Sequence, residues 1–428
     1  MDFCKFAFKA NIIKPQRSVM NSTLFSPGIL GPLALRNRSI RSAAFEGMSP
    51  GHLVSDDLIS YHKAVAAGGI GMTTVAYAAV SQSGLSFPHQ LWLRKETLPG
   101  LKQLTDAVHN EGAAAAIQIG HCGLMAKKSV SGGVCLAPSG KFNLYGPTWP
   151  RGMTREEIHT VVSDFGKAVN LSREAGFDAV EVHAGHGYLI SQFLSPYTNK
   201  RKDDYGGSFE NRSRFMLEVI REVMKAAGHD MAVVVKMNLM DGVRGGQTLE
   251  EAIEIAKMLE KEGVHGLVLS GGFVSKAPMV VMRGKMPIDI MASHLREDRW
   301  MKPFIRCFGN LLIRPKPFSE AYFLEDALKV RQQVSLPLIY VGGMVSLEGI
   351  GKVLGDGFAF VQIARALIND PAFINKLKSG EITRSACQHS NYCIGVMYSG
   401  KMKCFQHEEN LPAKWENRRT SGQRVNEE

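Results

Sequence analysis

Two imidazoles and a phenol, His183, His186 and Tyr188, fall within six residues directly after the apolar run Asp178-Ala179-Val180-Glu181-Val182. Together they can bind a carbonyl oxygen and deliver a proton to a neighbouring carbon. A single histidine near a strand end would read as a hydrogen-bonded structural residue. Three such groups on one glycine-punctuated turn read instead as a catalytic cluster at the end of a strand.

Something must hold that turn in place, and the rest of the chain supplies it. From Leu24 onward strand-like and helix-like segments alternate, the pattern of a parallel sheet wrapped by helices. Strands are expected at Ser39–Ala43, Gly71–Val75, Ala113–Ile119, Ala179–Val182, Ala232–Met237, His265–Leu269, Leu338–Val341 and Phe358–Gln362. Eight is the number that closes a barrel, so the fold class is α/β, a single (β/α)8 TIM barrel. Helices are expected at Asp57–Ala67, Arg155–Glu174, Glu210–Ala226, Leu249–Glu262, Leu324–Gln333 and Pro371–Ser379. The region Gly271 to Ser319, rich in Met, Pro and Arg, is too long for an ordinary connection between strands 6 and 7 and reads as a lid or rim insertion. Residues 21–382 are assigned to the barrel, 1–20 to a basic extension, and 383–428 to a cysteine-containing segment with a polar tail.

The motif H-x-x-H-G-Y-L, followed by Q-F-L-S-P-Y-x-N-x-R-x-D-x-Y-G-G-S-x-E-N-R, resembles the signature of the Old Yellow Enzyme family, FMN-dependent ene-reductases. LFSPGILGPLALRNR at Leu24, AIQIGHCG at Ala116 and FVQIARALINDPAF at Phe360 resemble other parts of that family, so the likeness runs roughly from Leu24 to Gly380. The resemblance implies non-covalent FMN, NAD(P)H as reductant and a small-molecule enone as acceptor. It implies that His183 and His186 hold the acceptor's carbonyl oxygen and that Tyr188 donates the proton to its α-carbon. Gln118 would meet the flavin pyrimidine edge, and Lys236, where much of the family has Arg, would stand beside flavin N1. Gly342, Gly343, Ala364 and Arg365 would hold the phosphate, glycines admitting close backbone approach and arginine pairing the charge. Ser42, Ala43, Ala44 and Phe45 depart from the family pattern of Pro-Met or Pro-Leu followed by Thr or Cys, so their flavin contacts would run through the backbone. A further contact is expected near Tyr77. The alternatives are a dienoyl-CoA-reductase-like enzyme, a flavin demethylase, or a flavin-binding protein with little turnover.

Composition sets the outer limits. The chain has 428 residues, 45% hydrophobic and 21% charged, as in an ordinary globular enzyme. Its net charge of +11 comes from scattered Lys and Arg, with no dense basic run interleaved with aromatics, which argues against nucleic acid as partner. Ala64 to Val80, the longest weakly polar stretch, reads as helix end, turn and strand rather than a membrane span. Seven cysteines, an odd number, fit a reduced, cytoplasmic setting, although Lys5, Lys9, Lys14 and Arg17 among the apolar residues of the first twenty allow an organellar targeting segment. Cys387, Cys393 and Cys404 lie where the dienoyl-reductase branch has a four-cysteine iron–sulfur motif. Ser390 stands in one ligand position, which argues against a cluster and leaves metal sites unassigned. A homo-oligomer remains compatible with the chain.

Overall fold

The computed structural model describes residues 23–140, 142, 149–294, 301–396 and 400–406. The basic extension and the end of the polar tail lie outside them. Eight parallel strands close a barrel: β1 Ser39–Arg41, β2 Met72–Ala79, β3 Ala114–Gly120, β4 Ala179–His183, β5 Ala232–Asn238, β6 Gly266–Ser270, β7 Leu338–Val341 and β8 Phe360–Ile363. Strand neighbours follow chain order, and β8 closes onto β1 through Val361 opposite Ser39. The strands are buried along almost their whole length, which is why they read as apolar runs rather than alternating ones.

All eight expected strands are present, and β2 is longer than expected. It passes Val75 to reach Ala79, with a register shift against β3 between Val75 and Ala78. Such an irregularity bends the strand and re-aims its side chains. Tyr77 lies in this shifted stretch.

The outer helices are α1 Asp56–Ala67, α2 Leu98–His109, α3 Arg155–Glu174, α4 Phe209–Ala227, α5 Leu249–Lys261, α6 Leu324–Arg331, α7 Leu347–Gly355 and α8 Phe373–Ser379. Two of these, α2 and α7, were not expected from the sequence. α2 carries Pro in its first turn, where no intrahelical donor is lost, and buries Leu101, Leu104 and Val108 on one face. In α7 the glycines Gly349 and Gly351 dilute the helical pattern. It is started by Ser346, whose hydroxyl accepts the Gly349 N–H at 3.0 Å.

The two ends of the barrel differ. An antiparallel hairpin, Gly28–Leu30 paired with Leu33–Leu35, plugs the N-terminal end, and Leu30 and Leu35 pack there against Ile40, Met72 and Phe360. Polar groups collect at the carboxyl end. The region after β6 folds into three helices, Pro278–Val281, Ile288–His294 and Lys302–Leu312, around a small core of Met279, Met286, Ile288 and Met291. The C-terminal segment returns across the same end, where the Met402 N–H donates to the Glu46 carbonyl at 2.8 Å. Among the described residues no helix is long and apolar enough to cross a membrane.

Candidate active site

β4 delivers the cluster His183, His186 and Tyr188. Its last residue, His183, is buried, and the chain then turns through His186 at φ 59° and Gly187 at φ 78°. The unusual backbone of His186 is fixed from both sides: its N–H donates to Asn238 Oδ1 at 2.9 Å, and its carbonyl accepts from the Val274 N–H at 3.1 Å. Its Nε2 lies 2.7 Å from Ser270 Oγ at the end of β6. The His183 ring meets His186 edge-on at 5.1 Å and lies 4.3 Å from the Tyr188 ring, while Tyr77 packs edge-on against Tyr188 at 4.9 Å. His183 Nδ1 is buried with no hydrogen-bond partner among the described residues.

Burial drives the His183 imidazole well below its ordinary pKa, with His186 and Lys236 adding to the effect. Burial, with Lys236 beside it, holds His186 at about 3. Both rings are therefore neutral near pH 7, each with one N–H to give and one nitrogen to accept.

Beneath this ledge lies a charged floor. Glu181, two residues before His183 and so on the same face of β4, takes the Lys236 ammonium at 2.7 Å and the Gln118 Nε2 donor at 2.6 Å on one oxygen. Its other oxygen accepts from Gln362, whose carbonyl oxygen in turn accepts from Ser42 Oγ at 3.0 Å. Lys236 is held below its ordinary value by burial, against the pull of Glu181. Gln118 and Lys236 are thus brought together, by a carboxylate that was not singled out from the sequence. The signal was present: a Glu in the otherwise apolar strand Ala179–His183, and a Gln in Phe360–Ile363. A buried charge of that kind requires a partner.

The stretch Ser42 to Phe45 is pinned between β8 and β2. The Ser42 N–H donates to the Ile363 carbonyl at 2.9 Å, Arg41 Nη2 donates to the Ala44 carbonyl at 3.1 Å, and Phe45 packs on Phe87 at 5.0 Å. Ala43 touches the apolar patch around Tyr77. The next residue, buried Glu46, anchors the loop by pairing Arg41 at 2.7 Å and accepting the Ala76 N–H at 3.1 Å. Tyr77 keeps its hydroxyl on Ser86 Oγ at 3.0 Å and offers its ring to the ledge.

At the far side of the mouth, Gly342 and Gly343 follow β7 at φ 144° and 76°. Added Cβ atoms would stand 3.4 and 3.1 Å from the Tyr322 ring. Ala364 precedes the short helix Arg365–Asn369, and Arg365 donates to the Arg283 carbonyl at 2.6 Å and to Asn391 Oδ1 at 2.8 Å.

Residues 23–307 match the NADH:flavin oxidoreductase / NADH oxidase family. The chain belongs to that family. It is 42% identical over 380 residues to the 4,4'-dithiodibutanoate disulfide reductase of Rhodococcus erythropolis, covering 88% of this chain and 94% of that protein. It is 34% identical over 392 residues to the NADH oxidase of Thermoanaerobacter brockii, covering 89% of this chain and 55% of that one, so it spans about half that relative's length. In fold it is similar to an old yellow enzyme homologue from Zymomonas mobilis, with a TM-score of 0.69 at 20% identity over 89% of this chain and 97% of that one. This family member is an NAD(P)H:flavin oxidoreductase of Old Yellow Enzyme type that binds FMN non-covalently.

The residues present fit that cofactor. The His183 nitrogen without a partner among the described residues, the neutral rings around it and the paired charge of the floor leave a polar mouth without an uncompensated anion. Near Arg365, burial raises the pKa of the Cys387 thiol, with Cys404 adding to the effect. Burial, reinforced by the other two thiols, pushes Cys393 up to about 12. Among the described residues no group of three or more His, Cys, Asp or Glu is arranged to hold a metal ion.

Proposed function

We propose that this enzyme reduces the C=C bond of α,β-unsaturated carbonyl compounds, and that Tyr188 supplies the proton. The observation that carries this reading is the pair of neutral imidazoles, one with an unpartnered buried nitrogen, against the Tyr188 ring at 4.3 Å. Bound FMN supplies hydride chemistry, accepting two electrons from NAD(P)H and passing them to the acceptor. His183 and His186 donate to the carbonyl oxygen of the acceptor and so draw electron density from its β-carbon. Tyr188, a phenol with a reference pKa of about 10, holds its proton at neutral pH and gives it to the α-carbon. Tyr77 supports the Tyr188 ring. Gln118 and Lys236 face the flavin ring system from the floor, with Glu181 fixing both. The backbone of Ser42 to Phe45 lines one edge, and Gly342, Gly343, Ala364 and Arg365 take the phosphate.

A second reading rests on the relative that shares 42% of residues over 94% of its length and is named for a disulfide. In that reaction hydride adds to one sulfur, the S–S bond breaks, and the departing thiolate takes its proton from Tyr188. One experiment separates the two. The FMN-loaded protein is reduced anaerobically with NADPH or NADH and then mixed with a panel of enones or with an aliphatic disulfide dicarboxylate. Rapid reoxidation by enones supports the first reading, and reoxidation by the disulfide alone replaces it with the second.

A further inference from the structure

The third helix of the insertion, Lys302–Leu312, is apolar on two sides. One side is seated: Ile305 and the following Ile313 pack on the small core of Met279, Met286, Ile288 and Met291. Gly309 is buried in that seam, where an added Cβ would stand 2.7 Å from the Ile288 side chain. A helix held by one such seam normally turns polar groups to water over the rest of its surface. Here Phe304, Phe308 and Leu311, at i, i+4 and i+7, form a second row that is 41%, 49% and 64% exposed. The two phenyl rings lie 5.2 Å apart, so the row is a joined patch and not a set of single exposed residues.

The charge around this row has one sign. Residues 271–319 hold nine Lys and Arg against three Asp and Glu, a surplus of six out of the chain's +11. From Met301 to Ser319 the sequence has Lys302, Arg306, Arg314 and Lys316 and no acid. Arg306, Arg314 and Lys316 are exposed. The next acid, Glu320, is already taken up by Arg384 at 3.2 Å and by the Ser346 N–H at 2.8 Å. A helix is about 10 Å across, so the cations it carries stay within about one Debye length of any surface the row touches. A second copy of the chain fits poorly there. It would set these cations against their own counterparts, and three apolar side chains fall well short of the roughly 800 Å² per partner that a stable dimer buries. An anionic lipid surface meets both features, taking the row into its apolar boundary and the cations at its headgroups.

We propose that the row Phe304, Phe308 and Leu311 docks the enzyme reversibly on anionic membrane surfaces. The test sediments the full-length, FMN-loaded protein with vesicles of phosphatidylcholine and phosphatidylserine, and with vesicles of phosphatidylcholine alone. Binding to the mixed vesicles is expected, with strong weakening on phosphatidylcholine alone and in high salt. Phe308→Ser should weaken that binding about tenfold by removing a buried ring, and Arg306→Gln about fivefold by removing one cation. Both side chains are exposed, so NAD(P)H oxidation and the melting temperature in solution should stay as in the wild type. Wild-type protein that stays in the supernatant, or Phe308→Ser protein that sediments as well as the wild type, overturns the proposal. A dimer seen in sedimentation equilibrium and dissociated by Phe308→Ser overturns it in favour of a second copy.

Discussion

Glu181 and His183 sit two residues apart on β4, on the same inward face, and their surroundings differ sharply. Glu181 is satisfied within the protein: Lys236, Gln118 and Gln362 from three other strands converge on its two oxygens. His183 keeps a buried nitrogen without a partner among the described residues. A barrel mouth can thus hold one polar layer that is closed on itself and rigid, and directly above it a layer that stays incomplete until a ligand arrives. The first costs stability if any member is removed. The second costs stability as it stands, and that cost is the usual sign of a binding position.

The largest expected effect breaks the closed layer. Lys236→Ala leaves a buried carboxylate without its cation and should destabilise the apoprotein by about 3–5 kcal/mol in urea unfolding. Adding Glu181→Gln to that variant should restore much of the loss. A Lys236→Ala protein as stable as wild type would show that the floor is open to water and that the contrast with His183 is false.

The open layer is tested by kinetics. Tyr188→Phe should slow reoxidation of the reduced enzyme by enones on the order of 10²-fold while flavin reduction by NAD(P)H stays nearly unchanged, because only the second half-reaction needs a proton from the phenol. Stopped-flow traces of both halves decide it, and equal slowing of the two would make Tyr188 a structural residue. His183→Ala should weaken binding of phenolic ligands roughly tenfold or more, the loss of a hydrogen bond to a charged oxygen worth about 1.5–3 kcal/mol. A spectral titration with a simple phenol measures it, and unchanged affinity would remove His183 from the acceptor site.

A last test sharpens the comparison through pH. His186 is held at about 3 in the folded protein against 6.5 as the ordinary value. The unfolded chain therefore binds a proton that the folded chain refuses, so stability falls as pH drops below about 6.5 and levels off near 3. His186→Gln should make that acid limb shallower in thermal melts between pH 7 and pH 4. An unchanged limb would show that His186 titrates normally and that the ledge is wetter than its geometry suggests.

Most of the eight strands were legible because they are short, buried and largely apolar runs between turn residues. His183, His186 and Tyr188 were legible because they are neighbours in the chain as well as in space. Chemistry carried on one turn can be read from one turn. The bulged part of β2 and the glycine-diluted helix α7 were not legible, because each depends on packing against elements outside its own sequence window. Glu181 was visible as a charge in a strand, but its meaning was not.

What the sequence determined by itself is the barrel, its family and the grouping of His183, His186 and Tyr188 on one turn, all set by local pattern and by a long contiguous motif. Only the tertiary structure decided which groups are paired and which are left open. The floor draws Gln118, Glu181, Lys236 and Gln362 from four different strands, and the rim beyond β8 joins Arg283, Arg365 and Asn391 across the insertion and the C-terminal segment. These groups are distant in the chain, and it is barrel closure that brings their strand ends to one face and removes the water that would otherwise satisfy them. Whether a buried polar atom finds a partner is then a property of the closed fold, not of any segment of it.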